Sequence, residues 1–364
     1  MLSSGALVSI CIPTYNGERY LDQCLASACG QTYPHLEILV VDDGSSDSTV
    51  DMVRQWAGRD DRIRLEVNPS NMGLVGNLNH CVALARGDWV KFLFQDDHID
   101  PRCVEGLLAH AGDEWKFLAC DREIIYDNVS AEDEQLWRTG DFNIHLAAVR
   151  PGRLELSPRD VAGLALDYDF RNFVGEPPVT LIHRSVFQAV GNFNSDLVHH
   201  CDIEFWLRAG MTTGIRYVSD TMAAFRVHPG SASAANWRQR LLRTGRLDPL
   251  IILHQCLYSP FFMPWRQEAA DRGVLSSKKV QLRKQTLRDH TRLLLDRLEA
   301  ATAVSTAASA GASAAGGSGT RGTADGGADW DLLVARYPGL GPWADRFVPA
   351  VAELVHWKRS RGHR

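Results

Sequence analysis

The sequence predicts an α/β fold: a mainly parallel central sheet flanked by helices, followed by a helical C-terminal extension. Three observations carry this expectation. The first 120 residues alternate short apolar runs with amphipathic helical patterns, the connections between them are short, and acidic pairs stand where strands should end. With 364 residues, 45% of them apolar and 23% charged, the chain has material for a large core and is no disordered tail protein.

Residues 8–12 read as a buried strand, and residues 20–28 as a helix with Leu21, Cys24, Leu25 and Ala28 on one face. Residues 37–41 form the next strand. Residues 48–57 follow as a helix opened by Asp47 and Ser48, with Val50, Val53 and Trp56 inward. Residues 63–67 are a third strand, 74–85 a third helix and 89–94 a fourth strand. Asp100 is expected at a helix N-cap with Pro101 in the first turn, where a missing N–H costs nothing. From about 121 to 176 acids mix with aromatics and the rhythm is lost, which predicts loops and short helices over the ligand edge. A strand at 180–182, helices at 184–190 and 203–209, and two strands near 215–218 and 222–227 complete the pattern.

Four regions follow from this reading: a catalytic domain over 1–235, a helical extension over 236–301, a flexible Ala/Gly/Ser linker over 302–328 and a small helical segment over 329–364. The extension ends in an amphipathic run, 278–298, with apolar residues at near-heptad spacing. The formal charge of −5 hides an asymmetry, net −14 in 1–235, +7 in 236–300 and +2 beyond, and nothing in it predicts a nucleic-acid partner. The eight cysteines lack the paired short spacing of a zinc site, and several lie in apolar runs, so buried thiols in a reducing cytoplasm are expected. Met1 to Ala6 has no basic or long apolar stretch of a signal peptide, and 249–265 is broken by His254, Gln255, Pro260 and Pro264, a poor bilayer span. Peripheral contact with the inner face of the membrane stays open there, beside a helix packed on the body. The oligomeric state is not readable.

Asp42 and Asp43 end the second strand, Asp96 and Asp97 the fourth, and Asp202 and Glu204 open a later helix. In a parallel sheet the first two pairs project from one edge, where ligands bind. Four carboxylates there repel one another unless a cation or hydrogen-bond donors intervene. A hard divalent ion bridging carboxylate and phosphate oxygens resolves the repulsion. Each pair alone could equally cap a helix or close a turn.

Val8-Ser-Ile-Cys-Ile-Pro-Thr-Tyr-Asn16, Val40-Val-Asp-Asp-Gly-Ser-Ser-Asp47, Asn71-Met-Gly73 with Asn77, Ala85-Arg-Gly-Asp-Trp89 and Gln95-Asp-Asp97 follow one another in the order of the family 2 glycosyltransferases. Ile182-His-Arg-Ser-Val-Phe187, Val190-Gly-Asn-Phe193, Asp202-Ile-Glu-Phe-Trp-Leu-Arg208 and Phe225-Arg-Val-His-Pro-Gly-Ser231 extend the likeness, which covers about 6–232. The chain therefore resembles that family, whose GT-A fold has a Rossmann-like nucleotide-binding half.

The resemblance implies an inverting, non-processive transfer of a sugar from a nucleotide-diphosphate sugar, UDP-sugar favoured, to a hydroxyl or amine on a glycan, a lipid-linked sugar or a small molecule. It implies that Pro13, Thr14, Tyr15, Asn16, Glu18, Asp42, Asp43, Asn71, Gly73, Asn77 and Asp96 bind the nucleotide sugar. It also implies that Asp97, with His228, holds Mn²⁺ or Mg²⁺, and that Asp202 is the general base. The family's metal motif commonly has an earlier Asp where this chain has Phe94, and an acid commonly precedes the base where this chain has Cys201. Tyr15 could instead be a core aromatic, His228 a turn histidine, and Glu204 the rival base. Processive synthases carry a Gln-x-x-Arg-Trp motif that is absent here. Two other readings stand beside this one: a nucleotidyltransferase, which would need a basic glycine-rich loop that 13–17 lacks, and a nucleotide-sugar or glycan-binding module without turnover.

Overall fold

A computed structural model describes residues 5–139, 144, 146–152, 154–231, 234, 247–289 and 335–337. The chain divides into two compact units, Met1–Arg238 and Gln239–Arg364.

The first unit is built on one nine-stranded sheet. Its N-terminal half winds as the sequence predicts: β1 (Val8–Thr14), α1 (Leu21–Cys29), β2 (Leu36–Asp42), α2 (Thr49–Ala57), β3 (Ile63–Val67), α3 (Gly73–Leu84) and β4 (Trp89–Phe92). β1 pairs in parallel with β2 and β4, and β2 with β3. Every residue of β1 is buried, and Ile38, Leu39, Val40 and Val41 beside it are sealed off, which is why these strands read as continuous apolar runs. The register Thr14↔Asp42 brings the loops after β1 and β2 side by side.

The other half is mixed. β5 (His98–Ile99), α4 (Cys103–Leu108) and β6 (Phe117–Tyr126) lead through α5 (Ala131–Thr139), α6 (Leu146–Val149) and β7 (Glu155–Leu156) to α7 (Pro158–Asp167). Then come β8 (Thr180–His183), α8 (Arg184–Val190), α9 (Cys201–Thr213) and β9 (Ile215–Val227). The sheet order is β3-β2-β1-β4-β8-β6-β9-β5, with β7 on β9. β8 is antiparallel to both β4 and β6, while β6 and β9 run parallel with a register shift at Cys120–Arg122.

Three local expectations are corrected. The 121–176 segment is not only loops and short helices: ten-residue β6 enters it, and α7 opens on a capping box between Ser157 and Asp160 with Pro158 in the first turn. Residues 215–227 form one strand, not two, because the exposed Ser219, Asp220 and Thr221 lie in the register shift. Asp100 caps the turn ahead of α4, accepting from Arg102 N–H at 2.8 Å, and the helix starts at Cys103.

Seven of the eight cysteines are buried and all are free thiols. Phe205 stacks on Phe187 at 5.0 Å and meets the tilted Phe193 ring at 4.6 Å, and Trp206 lies 5.5 Å from Phe117, locking α9 onto the sheet.

In the second unit α10 (Asp248–Tyr258) has Pro249 in its first turn and buries Ile251, Ile252 and Leu253. A 3₁₀ turn, Pro260–Phe262, leads into α11 (Met263–Asp271), and residues 275–289 form α12. Arg266 pins the corner by donating to the carbonyls of Cys256 (3.1 Å) and Ser259 (2.6 Å). No helix among the described residues is long and apolar enough to cross a membrane. The remainder of the 278–298 run, the 302–328 linker and the 329–364 segment apart from 335–337 lie outside the described residues.

Candidate active site

The loops after β1 and β2 are stitched into one floor. Asn16 stands at a positive φ of 47°; its N–H donates to Ser45 Oγ at 2.8 Å, and its Oδ1 accepts from Ser46 N–H at 2.8 Å. Glu18 accepts from Ser48 N–H at 2.9 Å. Pro13 and Thr14 are buried, and Thr14 donates to Asp42 at 3.0 Å. Tyr15 is 49% exposed, so its ring is an open face and not a core aromatic. Gln95 holds the Tyr15 backbone from both sides, accepting from its N–H at 2.9 Å and donating to its carbonyl at 3.2 Å. A Cβ on Gly17 would stand 2.2 Å from Gln95 Oε1, so a larger residue there would push aside the Gln95 side chain that holds Tyr15.

Asp42 is fully engaged and Asp43 nearly so. Asp42 accepts from Thr14 and Ser45 hydroxyls and from the N–H groups of Gly44 (3.1 Å) and Ser45 (2.8 Å), clasping its own turn. Asp43 accepts from Asn68 Nδ2 and Met72 N–H at 2.8 Å and from Gly73 N–H at 2.9 Å. Asn71 Oδ1 also accepts from Gly73 N–H at 3.0 Å, and Gly73 (φ +73°) starts α3. Asn77, buried, donates to the Val41 carbonyl at 2.9 Å and accepts from Asn68 at 3.1 Å. The 68–77 segment is thereby tied to the end of β2 through Asp43.

Asp96 and Asp97 differ. Asp97 is 1% exposed; Oδ1 accepts from Arg226 N–H at 2.8 Å, while Oδ2 has no hydrogen-bond partner. Burial, and after it the neighbouring Asp96, pushes the Asp97 carboxyl well above the usual carboxylate range. Asp96 Oδ2 lies 3.0 Å from His228 Nε2, and His228 Nδ1 accepts from Gly230 N–H at 3.2 Å. Nε2 therefore carries the ring proton and donates, which places His228 as the group orienting Asp96. Arg226 donates to the Asp96 carbonyl at 2.9 Å and to Gln23 at 2.6 Å, and its guanidinium lies 4.7 Å from the Tyr20 ring centre. Tyr20 in turn contacts the His228 ring at 4.7 Å and donates to Asp127 at 2.7 Å.

The Asp97 site fits a divalent ion. An orphaned, buried carboxylate oxygen calls for a cation. Among the described residues no three His, Cys, Asp or Glu side chains converge. The protein's share is one or two carboxylates, the pattern of an ion that completes its shell with substrate phosphates and water.

Asp202 stands half-buried in the first turn of α9, its Oδ1 accepting from Ile203 N–H at 2.8 Å. Burial lifts its carboxyl to about 6. Glu204 is spent elsewhere: fully buried, it holds Arg208 through two 2.8 Å contacts, and Arg208 reaches back to the 190–192 carbonyls. It has no freedom to act as the rival base.

Residues 9–188 match the family model described as glycosyl transferase family 2. This segment is a family 2 glycosyltransferase domain. An uncharacterized protein of Mycobacterium tuberculosis is 27% identical over 255 residues, 70% of this chain and 76% of that one. The chondroitin synthase of Pasteurella multocida is 37% identical over 99 residues, 27% of this chain, and the match spans only 10% of the synthase. Staphylococcus aureus TarS (residues 1–349, in complex with UDP-GlcNAc) shares the fold at a TM-score of 0.52 and 16% identity, covering 78% of this chain and 80% of that one.

Within the first unit, three residues around this site that the sequence left without a role are Gln95, Arg226 and Tyr20. Gln95 and Arg226 both lie inside the motifs that carry the likeness. Tyr20 is the residue just ahead of α1, and nothing in its spacing marks it.

Proposed function

We propose that the chain is an inverting, non-processive glycosyltransferase that moves a sugar from a nucleotide-diphosphate donor to a hydroxyl or amine acceptor. The observation that carries this reading is the pair of unlike carboxylates. Asp97 keeps an unpartnered oxygen beside the 96–97 turn, and Asp202, in the first turn of α9, has an acidity near pH 6. One is suited to a cation and the other to a proton.

In this mechanism Tyr15 offers its exposed face to the base, and Asn16 and Glu18 hold the floor beneath it. Asp43 keeps 68–73 in place and, with one lone pair to spare, accepts from base or ribose. Asp97, with Asp96 beside it, would hold Mn²⁺ or Mg²⁺, which when bound neutralises charge on the departing diphosphate. His228 fixes the Asp96 plane. Asp202 takes the proton of the acceptor as its oxygen or nitrogen attacks the anomeric carbon opposite the diphosphate. The direct test is calorimetry with UDP-, GDP- and dTDP-sugars in Mg²⁺ or Mn²⁺. One of them is expected to bind in a metal-dependent way, and binding of none would sink the donor assignment.

A cytoplasmic enzyme with peripheral membrane contact is the localisation that fits best. The supporting feature is the α10–α11 corner, where Tyr258, Phe261 and Met263 are 53%, 38% and 65% exposed, within a basic segment. Co-sedimentation with anionic vesicles, lost in Phe261→Ser/Met263→Ser, tests it.

A further inference from the structure

Arg122 and Glu176 form an ion pair whose side chains are 2% and 11% exposed. The guanidinium meets both carboxylate oxygens, Nη2 donating to Oε1 at 3.2 Å and Nε facing Oε2. A buried pair of this kind is a poor source of stability compared with apolar packing, so its position calls for a functional reason.

That position is defined by three connections. β8 runs antiparallel to β4 with Lys91 opposite Leu181, so the chain enters β8 at the end where β4 leaves for Asp96 and Asp97. Glu176 lies just ahead of that entry, before the 3₁₀ turn Pro177–Val179. On the other side, the Gly175 carbonyl accepts from Trp206 Nε1 at 3.0 Å, and Trp206 is one turn along α9 from Asp202. The register shift between β6 and β9 falls at Arg122 itself, a bulge that re-aims its side chain. Gly175 has φ +113°, and a Cβ there would stand 3.0 Å from Val179 and 3.2 Å from Arg122, so backbone and space both reserve this corner. Glu176 accordingly stands at the entry to β8, next to the end of β4 on one side and tied through Gly175 and Trp206 to the first turns of α9 on the other.

In-line displacement requires the transferred sugar to lie between the diphosphate and the attacking acceptor atom. A carboxylate offers about four lone-pair sites; the guanidinium fills one on Oε1 through Nη2, and Oε2, faced by Nε, has no hydrogen-bond partner. The geometry points to Glu176 as a specificity-determining residue, which accepts hydrogen bonds from hydroxyls of the transferred sugar while Arg122 fixes the plane of its carboxylate. This rests on the glycosyl-transfer reading.

The test compares binding of UDP with that of UDP-GlcNAc, UDP-glucose and UDP-galactose, and of GDP with GDP-mannose, all with Mg²⁺. In Glu176→Gln the affinity for the sugar nucleotide is expected to fall about tenfold or more while that for the nucleoside diphosphate stays put, the size of a lost charged hydrogen bond. Because Glu176→Gln removes the negative charge facing buried Arg122, the double variant Arg122→Met/Glu176→Met is measured alongside, and it should fold and lose the same discrimination. Wild-type-like sugar-nucleotide binding in either folded variant overturns the inference alone. Equal loss of both ligands overturns it too, since the role would then be structural. A wild-type protein that binds no nucleotide overturns both this inference and the reading beneath it.

Discussion

Two acidic turns stand at the same end of one sheet, and they have opposite fates. Asp42 and Asp43 receive seven hydrogen bonds between them from surrounding backbone and side chains. Asp97 receives one from the backbone of Arg226, and its second oxygen faces no donor. The residue type and the edge are shared; what differs is the supply of donors. Behind β2 the chain turns through Gly44, Ser45 and the 68–73 segment, whose N–H groups point at the carboxylates. Behind β4 the turn meets Arg226 and His228, which hold the backbone and the outer Asp96 and leave Asp97 Oδ2 for a ligand. A carboxylate pair builds a turn where donors are plentiful and keeps an oxygen open where they are withheld.

This contrast can be broken by substitution. Asp202→Asn should remove the base and reduce transfer by about a thousandfold or more, with nucleotide binding by calorimetry intact; equal turnover would refute the assignment. Asp97→Asn should lower transfer nearly as far and abolish metal-dependent nucleotide affinity, yet leave the thermal midpoint unchanged or raised, because a buried charge has been removed. Asp42→Ala should do the reverse. Orphaning its donors is expected to cost about 2–4 kcal/mol in urea unfolding, with chemistry in the surviving folded protein far less affected than in Asp97→Asn.

A smaller effect sharpens the role of Asp202. Its carboxyl titrates near pH 6 in the folded chain, above its ordinary value, so the folded state binds this proton more tightly. Stability from that group is present at low pH and is lost as pH rises toward 6. Transfer should gain with the same titration, giving an acidic limb centred near pH 6. Asp202→Asn should therefore gain stability over wild type at pH 8, on the order of 1 kcal/mol, and none at pH 4, as read by denaturant unfolding. Smallest of all, Glu18→Gln should change stability by less than about 0.5 kcal/mol, since its single contact lies at the surface.

The same contrast marks what was legible in the sequence. The strands of the parallel half are sealed on both faces, so they read as uninterrupted apolar runs, and their loops follow from where those runs stop. β6 hides because Asp121, Arg122 and Glu123 interrupt it at the bulge, where the strand stops serving the core and starts serving the edge. α7 did carry a signal, Ser157-Pro-Arg-Asp160, a capping box with its proline in place. Asp43 and Asp97 look alike in sequence because hydrogen-bond supply depends on chain segments 30 and 129 residues away, respectively. Glu176 has no local sign beyond Gly-Glu-Pro-Pro; its partner arrives from a strand 54 residues earlier.

The buried thiols have a practical consequence. Cys29 alone has partial access to solvent, and burial together with a hydrogen bond to Asp60 pushes its thiol up to about 12, so it is nearly unreactive at neutral pH. The other seven are sealed, six of them distributed along the first unit and Cys256 in the second. An alkylating reagent should thus leave the native protein almost unmarked, and each modified cysteine found by mass spectrometry would report an opening event at that place. The protein carries its own set of reporters, one thiol at a time, for the order in which its sheet comes apart.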